Sequence, residues 1–252
     1  MSDHLLANKV ALVTGAARRI GAEISRKLHE AGMNIVLHYN TSEEDAAALC
    51  AELNQIRPDS AVVIRADLRE QEVERSLIKQ AVDVWQRLDV LVNNASRYYR
   101  TVFGKVTEYA WDDLLNSNLK APFFLAQAAA PHLAAHAGVI INITDIHAER
   151  PLRDYSVYCI SKSGLLMMTK LLAKELGPDV RVNAVAPGPI IWPEGENILT
   201  EQEKHKIIAS TSLQRSGSPI EIAKAVLFFV RDAGYVTGQV INVDGGRLAA
   251  GG

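Results

Sequence analysis

A tyrosine and a lysine four residues apart are the first candidates for chemistry in this chain. Tyr158 and Lys162 end the segment 145–162, and on a helix both side chains project from one face. A free phenol titrates near ~10, and a neighbouring ammonium favours its charged form. The pair is therefore a candidate for general acid–base catalysis, although amphipathic helices more often carry Tyr and Lys at this spacing by chance.

A glycine turn near the N-terminus gives this pair a context. The apolar run 9–14 leads into Gly15, and Gly21 follows where a helix is expected to begin. A strand that ends in a glycine turn and opens a helix presents backbone N–H groups and a positive dipole to a pyrophosphate. The two motifs together predict a dinucleotide cofactor beside an acid–base pair.

Composition argues against several classes of partner. The 252 residues carry a formal net charge of -2 without a basic stripe, so neither nucleic acid nor a membrane surface is expected as a partner. No apolar run approaches the ~20 residues of a membrane span, and the N-terminus lacks the features of a signal peptide. We expect a cytoplasmic protein with small-molecule ligands. Only Cys50 and Cys159 occur, and no His/Cys/Asp cluster indicates a metal.

The elements that must position these residues alternate between strand and helix. Apolar runs predict strands at 10–13, 34–39, 61–66, 90–94, 139–144, 181–186 and 239–243, with helices at 19–31, 43–56, 70–87 and 219–230 among the connections. This alternation predicts an α/β fold with a doubly wound parallel sheet, Rossmann-like, in a single domain over 1–252. In such sheets the ligand lies beyond the carboxyl ends of the strands, where the motifs stand.

On these motifs the sequence resembles the short-chain dehydrogenase/reductase family. The resemblance runs from residue 10 to 246 and rests on Thr14-Gly15 in the turn, Asn93-Asn94-Ala95 after the fourth strand, and Tyr158-x-x-x-Lys162. It implies hydride transfer with a nicotinamide cofactor. It also implies a homotetramer, for which the helix at 219–230 and the last strand offer an apolar contact.

The cofactor predicted by the second strand is NADP(H). NAD-preferring relatives place an acid about 20 residues past the glycines, whereas no acid occurs here between Leu37 and Ser42. A carboxylate would repel a 2′-phosphate, which Arg18, His38, Asn40 and Ser42 would bind instead.

Other cofactor contacts follow from the resemblance. Arg19 stands where most members have glycine, and its fork of donors is expected to reach the pyrophosphate and the nicotinamide pocket. Asp67 resembles the acid that contacts adenine, with a helix N-cap as the competing role. The full predicted set is Gly15, Arg18, Arg19, Ile20, His38, Tyr39, Asn40, Ser42, Asp67, Leu68, Asn94, Ala95, Ser96, Tyr158, Lys162, Pro187, Gly188 and Ile190.

Two further residues complete the predicted catalytic set. Asn118 matches the asparagine that in the family bends a helix and holds a water relaying protons to Lys162. Asp145 stands thirteen residues before Tyr158, where most members have a serine that hydrogen-bonds a substrate carbonyl. A carboxylate there would repel the charge that develops on a ketone oxygen, so ordinary ketone reduction is disfavoured.

A narrower resemblance is to the pteridine reductases of the family, which include dihydromonapterin and dihydrofolate reductases. It rests on Arg19, on His38-Tyr39, on Asn94-Ala95-Ser96 followed by Tyr98, and on Asp145. It implies a pterin or folate ring stacked on Tyr98, or on Tyr99, with its edge at Asp145. The implied substrate-binding set is Arg19, Ser96, Tyr98, Asp145 and Tyr158.

The polar segment at about 190–212 is predicted to cover the substrate. Trp192 in it lines the pocket or belongs to a subunit interface, and the sequence leaves both open. The predicted function is reduction of a dihydropterin by NADPH. Two alternatives stand beside it: a short-chain ketone or 3-oxoacyl reductase, and a non-catalytic NADPH-binding sensor.

Overall fold

Parallel strands form the centre of the chain in the computed structural model, which describes residues 6–70, 72–192 and 198–250. Within those ranges the strands are β1 (Val10–Val13), β2 (Asn34–Tyr39), β3 (Ala61–Arg65), β4 (Val90–Asn93), β5 (Val139–Ile143), β6 (Arg181–Pro187) and β7 (Val240–Val243). Their order in the sheet is β3-β2-β1-β4-β5-β6-β7, and every neighbouring pair is parallel. The predicted doubly wound α/β sheet is confirmed.

Helices cover both faces of this sheet. They are α1 (Arg19–Glu30), α2 (Glu43–Ile56), α3 (Val73–Trp85), α4 (Glu108–Leu115), α5 (Ala121–Ala134), α6 (Ser156–Leu176), α7 (Glu201–Ala209) and α8 (Pro219–Arg231). Successive strand residues point to opposite faces, so Val13 packs with α1, α2 and α8, whereas Leu12 packs with α3, α5 and α6. All four residues of β1 are buried because both faces are covered.

The strand order reverses at β1. Its neighbours are β2 on one side and β4 on the other, so the crossovers leave the sheet in opposite directions from this point. A crevice therefore opens beyond the carboxyl ends of β1 and β4. The loops that follow β1, β4, β5 and β6 meet there.

Two local features differ from the predicted elements. The third helix was expected over 70–87 and spans only Val73–Trp85. The segment expected as a covering loop contains α7, which begins after a capping box in which Thr200 and Glu203 bond each other's backbone N–H groups. Residues 193–197 of that segment lie outside the described residues.

Neither a membrane-spanning helix nor a metal cluster is found in the described ranges. None of the helices there is long and apolar enough to cross a bilayer. The same part of the chain holds no group of three or more His, Cys, Asp or Glu side chains placed to bind a metal ion.

Candidate active site

The glycine turn after β1 is held by the loop after β4. Thr14 Oγ1 accepts hydrogen bonds from the backbone N–H groups of Asn94 (2.9 Å) and Ala95 (3.0 Å). Gly15 has φ +61°, and a Cβ on Gly21 would lie 2.2 Å from the Gly15 carbonyl oxygen. The close approach of α1 to the turn therefore requires Gly21, and the left-handed backbone at the turn favours glycine at position 15.

His38 lies beneath this turn and not at its surface. Its Nδ1 accepts from the Gly15 N–H (3.1 Å), and its Nε2 bonds the Ala66 carbonyl (3.1 Å). Burial lowers the pKa of the imidazole to about 4, so it is neutral at pH 7. The expected bond from His38 to a 2′-phosphate is therefore replaced by a structural role, since both ring nitrogens are bonded to the protein.

The two arginines of the turn have different partners. Arg19 has φ +55°, a left-handed backbone conformation that explains why glycine suits this position. Its Nη2 donates to the Trp192 carbonyl at 2.8 Å. Arg18 lies 3.5 Å from Asp45 on α2, with both side chains about half exposed. An exposed pair at that distance is weak, so Arg18 is free to move toward an anion. Trp192 lines the cleft, which is one of its two expected roles; the other, a subunit contact, stays a prediction.

Asp67 forms an ion pair with Arg69 and does not have the competing role of a helix cap. Its carboxylate binds the Arg69 guanidinium at 2.5–3.2 Å and accepts from the Arg69 N–H, which holds the pKa of Asp67 well below its usual range. The residue before α3 is Glu72, so Asp67 does not cap that helix. Neither Asp67 nor Leu68 is among the described residues that line the cleft.

The centre of the site is a phenol bonded to a carboxylate. Tyr158 is 4% exposed, and its hydroxyl donates to Asp145 Oδ2 at 2.7 Å. The other oxygen of Asp145 accepts from the His147 N–H at 2.8 Å, which fixes the carboxylate at the start of a 3₁₀ turn. Asp145 and Tyr158, which are thirteen residues apart in the sequence, are therefore in direct contact in the structure, as the spacing predicted.

The electrostatics of Tyr158 differ from the expectation. Burial, and then the charge of Asp145, raise the pKa of the phenol well above its ordinary value. Lys162 lies 5.8 Å from the centroid of the phenol ring and donates to the Ile143 carbonyl at 2.9 Å. Burial also lowers the pKa of Lys162 itself to about 8. The predicted lowering of the phenol pKa by Lys162 is thus outweighed by desolvation and by Asp145.

Asn118 holds the loop after β4 from a bend between α4 and α5. It lies in a π-helical turn, Asn116–Lys120, which produces the bend expected at this residue. Its Nδ2 donates to the Arg97 carbonyl and to Ser161 Oγ, and its Oδ1 accepts from the Arg97 N–H and from Ser96 Oγ. All four bonding positions of the amide are used, so the side chain positions the loop, and the water expected at Asn118 stays a prediction.

An aromatic wall stands over the Tyr158–Asp145 pair. The ring of Tyr98 stacks on Tyr155 at 4.7 Å and meets the edge of Tyr158 at 4.8 Å, and Tyr98 is 37% exposed. Tyr99 points away, because its hydroxyl donates to Asp113 at 2.9 Å. Of the two tyrosines considered for stacking, Tyr98 is the one in the cleft, and it already has one face on Tyr155.

Most of the predicted site residues line one cleft. These are Gly15, Arg18, Arg19, Ile20, His38, Tyr39, Asn40, Ser42, Asn94, Ala95, Ser96, Tyr98, Asp145, Tyr158, Lys162, Pro187, Gly188 and Ile190. Sequence reasoning missed Tyr155, His147 and Arg247, which also line it. Tyr155 directly precedes α6 and stands three residues before Tyr158, and this spacing was the available signal. Arg247 had no such signal, because its position depends on the turn after β7.

Comparisons with known proteins find relatives that match nearly the whole chain. A family model described as "Enoyl-(Acyl carrier protein) reductase" matches residues 15–247. The granaticin polyketide synthase putative ketoacyl reductase 2 of Streptomyces violaceoruber is 39% identical over 244 residues, which are 94% of this chain and 95% of that protein. The 3-oxoacyl-[acyl-carrier-protein] reductase FabG of Staphylococcus epidermidis is 36% identical, covering 95% and 98%.

A pteridine reductase and a solved structure also match along nearly the whole chain. Pteridine reductase 1 of Leishmania tarentolae is 35% identical over 277 aligned positions, covering 94% of this chain and 95% of that protein. A blue fluorescent protein from a metagenomic library, solved in complex with NADPH, superposes with a TM-score of 0.89 at 37% identity, covering 96% and 98%.

Proposed function

This chain belongs to the short-chain dehydrogenase/reductase family, and we propose that within it the protein reduces dihydropterins with NADPH. The observation that carries the proposal is the bond between Tyr158 and Asp145, because the carboxylate stands where a ketone reductase needs a hydrogen-bond donor. Pteridine reductase 1 of Leishmania tarentolae, at 35% identity, supports a pterin substrate within this family.

NADP(H) is the cofactor that fits the cleft. Asn40, Thr41 and Ser42 line its outer end after β2, with Arg18 beside them and no carboxylate among the lining residues there. A 2′-phosphate finds amide, hydroxyl and guanidinium donors at that end. The NADPH in the 37% identical blue fluorescent protein supports the same choice. When bound, the reduced nicotinamide supplies the hydride.

Asp145 sets the kind of substrate that fits against it. An ionised carboxylate only accepts hydrogen bonds, so it binds a ring edge that carries N–H or amino groups. A ketone oxygen gains negative charge during reduction and would be repelled. A flat heterocycle also fits between the cofactor and the exposed face of Tyr98.

Proton delivery falls to the buried pair. Reduction of a C=N bond takes a hydride on carbon and a proton on nitrogen. Tyr158 carries a proton that it already donates toward Asp145 at 2.7 Å, and the raised pKa of the phenol keeps that proton in place until a substrate nitrogen becomes basic. Lys162 completes the site as a cation whose Nζ is held by the Ile143 carbonyl.

A 3-oxoacyl reductase is the second candidate. The ketoacyl reductase of Streptomyces violaceoruber and FabG of Staphylococcus epidermidis, at 39% and 36% identity, support it. Asp145 argues against it for the electrostatic reason given above. A non-catalytic NADPH sensor is disfavoured, because Tyr158 and Lys162 are both in place within the cleft.

Exchange of Asp145 tests the proposal. Asp145→Ser should lower kcat/KM for a dihydropterin by roughly 100-fold and raise it for an acetoacetyl thioester, because a hydroxyl donor replaces the charge. Asp145→Asn keeps the side-chain volume and removes the charge. It should therefore lose pterin activity without the same gain in activity on the acetoacetyl thioester. Unchanged NADPH affinity, measured by fluorescence titration, would show that both variants fold. Full pterin activity in Asp145→Ser would rule out the assigned role.

A further inference from the structure

Arg247 is held at the substrate end of the cleft by the turn that follows β7. The Asp244 carboxylate accepts from the N–H groups of Gly246 (2.9 Å) and Leu248 (2.7 Å). From the opposite side, Arg150 Nη1 donates to the Arg247 carbonyl at 2.8 Å. The backbone of Arg247 is therefore fixed on both sides, and its side chain lines the cleft.

The guanidinium of Arg247 has no bonded partner among the residues that the structure describes. Its Nε is buried and makes no hydrogen bond, and none of the ion pairs among the described residues includes Arg247. Burial and the nearby Arg150 lower the pKa of Arg247, as expected for a cation without a bonded anion. Buried donors are rarely left unpaired, so this one points to a ligand.

The two nearby carboxylates bond other groups and not Arg247. Asp145 accepts from Tyr158 and His147, and Asp244 accepts from two backbone N–H groups. The negative charges of Asp145 and Asp244 act to raise the pKa of Arg247, but neither carboxylate bonds its side chain. Among the residues that the structure describes, the charge without a bonded counterion at this end of the cleft is therefore positive, and a bound anion would complete it.

We propose that Arg247 binds a carboxylate of the substrate, so that the preferred dihydropterin carries an acidic side chain. The two terminal nitrogens of a guanidinium form a planar fork that matches two carboxylate oxygens. The choice of a pterin rests on the proposed function, whereas the choice of an acid rests on Arg247 alone. Folate-type pterins with a glutamate tail have this chemistry, and pterins with neutral hydroxyalkyl side chains do not.

The test compares acidic and neutral members of two substrate classes with the NADPH-loaded protein. Dihydrofolate is paired with dihydrobiopterin, and acetoacetate with ethyl acetoacetate. Arg247→Gln should raise KM for the acidic member by roughly tenfold or more with kcat nearly unchanged, while the neutral member changes at most about threefold. Arg247→Lys keeps the charge without the fork and should fall between the two. Arg75→Gln, on the exposed face of α3, is the matched control.

The outcomes separate this inference from the proposed function. Whether pterins or ketones are turned over tests the proposed function. Within either class, the change in KM for the acidic member relative to the neutral member tests the role of Arg247. Equal changes for both members, or no change, would overturn the role of Arg247. If neither class is turned over, calorimetric titration of the NADPH complex decides it: dihydrofolate should bind more tightly than dihydrobiopterin and lose that advantage in Arg247→Gln. Binding of neither ligand would also overturn the inference.

Discussion

At the scale of the residue, the site depends on what surrounds a phenol. The spacing of Asp145, Tyr158 and Lys162 was enough to predict that they meet, because helix and strand geometry fix where each side chain projects. Their protonation was not predictable from spacing. Lys162 was expected to lower the pKa of Tyr158, and complete burial beside Asp145 raises it instead. Burial depends on what packs around the pair, which the spacing alone does not contain.

The pH dependence of kcat/KM for NADPH tests the protonation state of Lys162. Burial lowers its pKa to about 8, so the ammonium is present below that pH and is lost above it. Because kcat/KM for NADPH reports groups of the free protein, it should fall about tenfold per pH unit above pH 8. Lys162→Arg keeps its charge, and its residual activity should show no such decline up to about pH 10. A wild-type profile that stays flat from pH 7 to 10 would contradict the assignment.

At the scale of the element, the sequence predicted the strands, whereas it gave no pattern for the irregular turns. Alternating apolar runs and helical periods located every strand to within one or two residues. The π-helical turn at Asn116–Lys120 has no repeating pattern, and only the family resemblance indicated the bend there. The start of α7 did have a signal, the Thr200–Glu203 capping box, which was overlooked within a polar segment.

The glycine turn predicts an acid-sensitive stability. His38 supports the turn only as a neutral ring, and burial lowers its pKa from the ordinary 6.5 to about 4. Between these values the unfolded chain binds a proton that the folded chain does not, so the free energy of unfolding falls as the pH falls. From pH 7.5 to 5, His38 alone should contribute roughly 2 kcal/mol to this loss in the wild type, measured by urea unfolding.

The control for this prediction is His38→Gln, which removes the titrating ring. The loss between the two pH values should be smaller in this variant by nearly the whole contribution of His38. His29, whose pKa is also lowered, is unchanged in both proteins and cancels in the comparison. An equal loss in wild type and variant would show that the turn does not depend on a neutral His38.

At the scale of the whole molecule, topology placed the cleft before any side chain was considered. The reversal of strand order at β1 brings the loops after β1, β4, β5 and β6 together, and the predicted residues from each of them line one cleft. The same fold serves many reactions, so the substrate has to be argued from Asp145, Tyr98 and Arg247. The homotetramer stays a prediction. The exposed side chains of Phe228 on α8 and Phe124 on α5 offer apolar surface for such contacts.

The most direct test of this account is NADPH oxidation by the wild-type protein with pterins and ketones side by side. The panel contains dihydrofolate, dihydromonapterin, dihydrobiopterin, acetoacetyl thioester and a simple ketone, followed by loss of absorbance from the cofactor. Because Asp145 stands at the reacting end of the cleft, kcat/KM for the best dihydropterin should exceed that for any ketone by roughly 100-fold. Fast turnover of the acetoacetyl thioester with no turnover of any pterin would contradict the account.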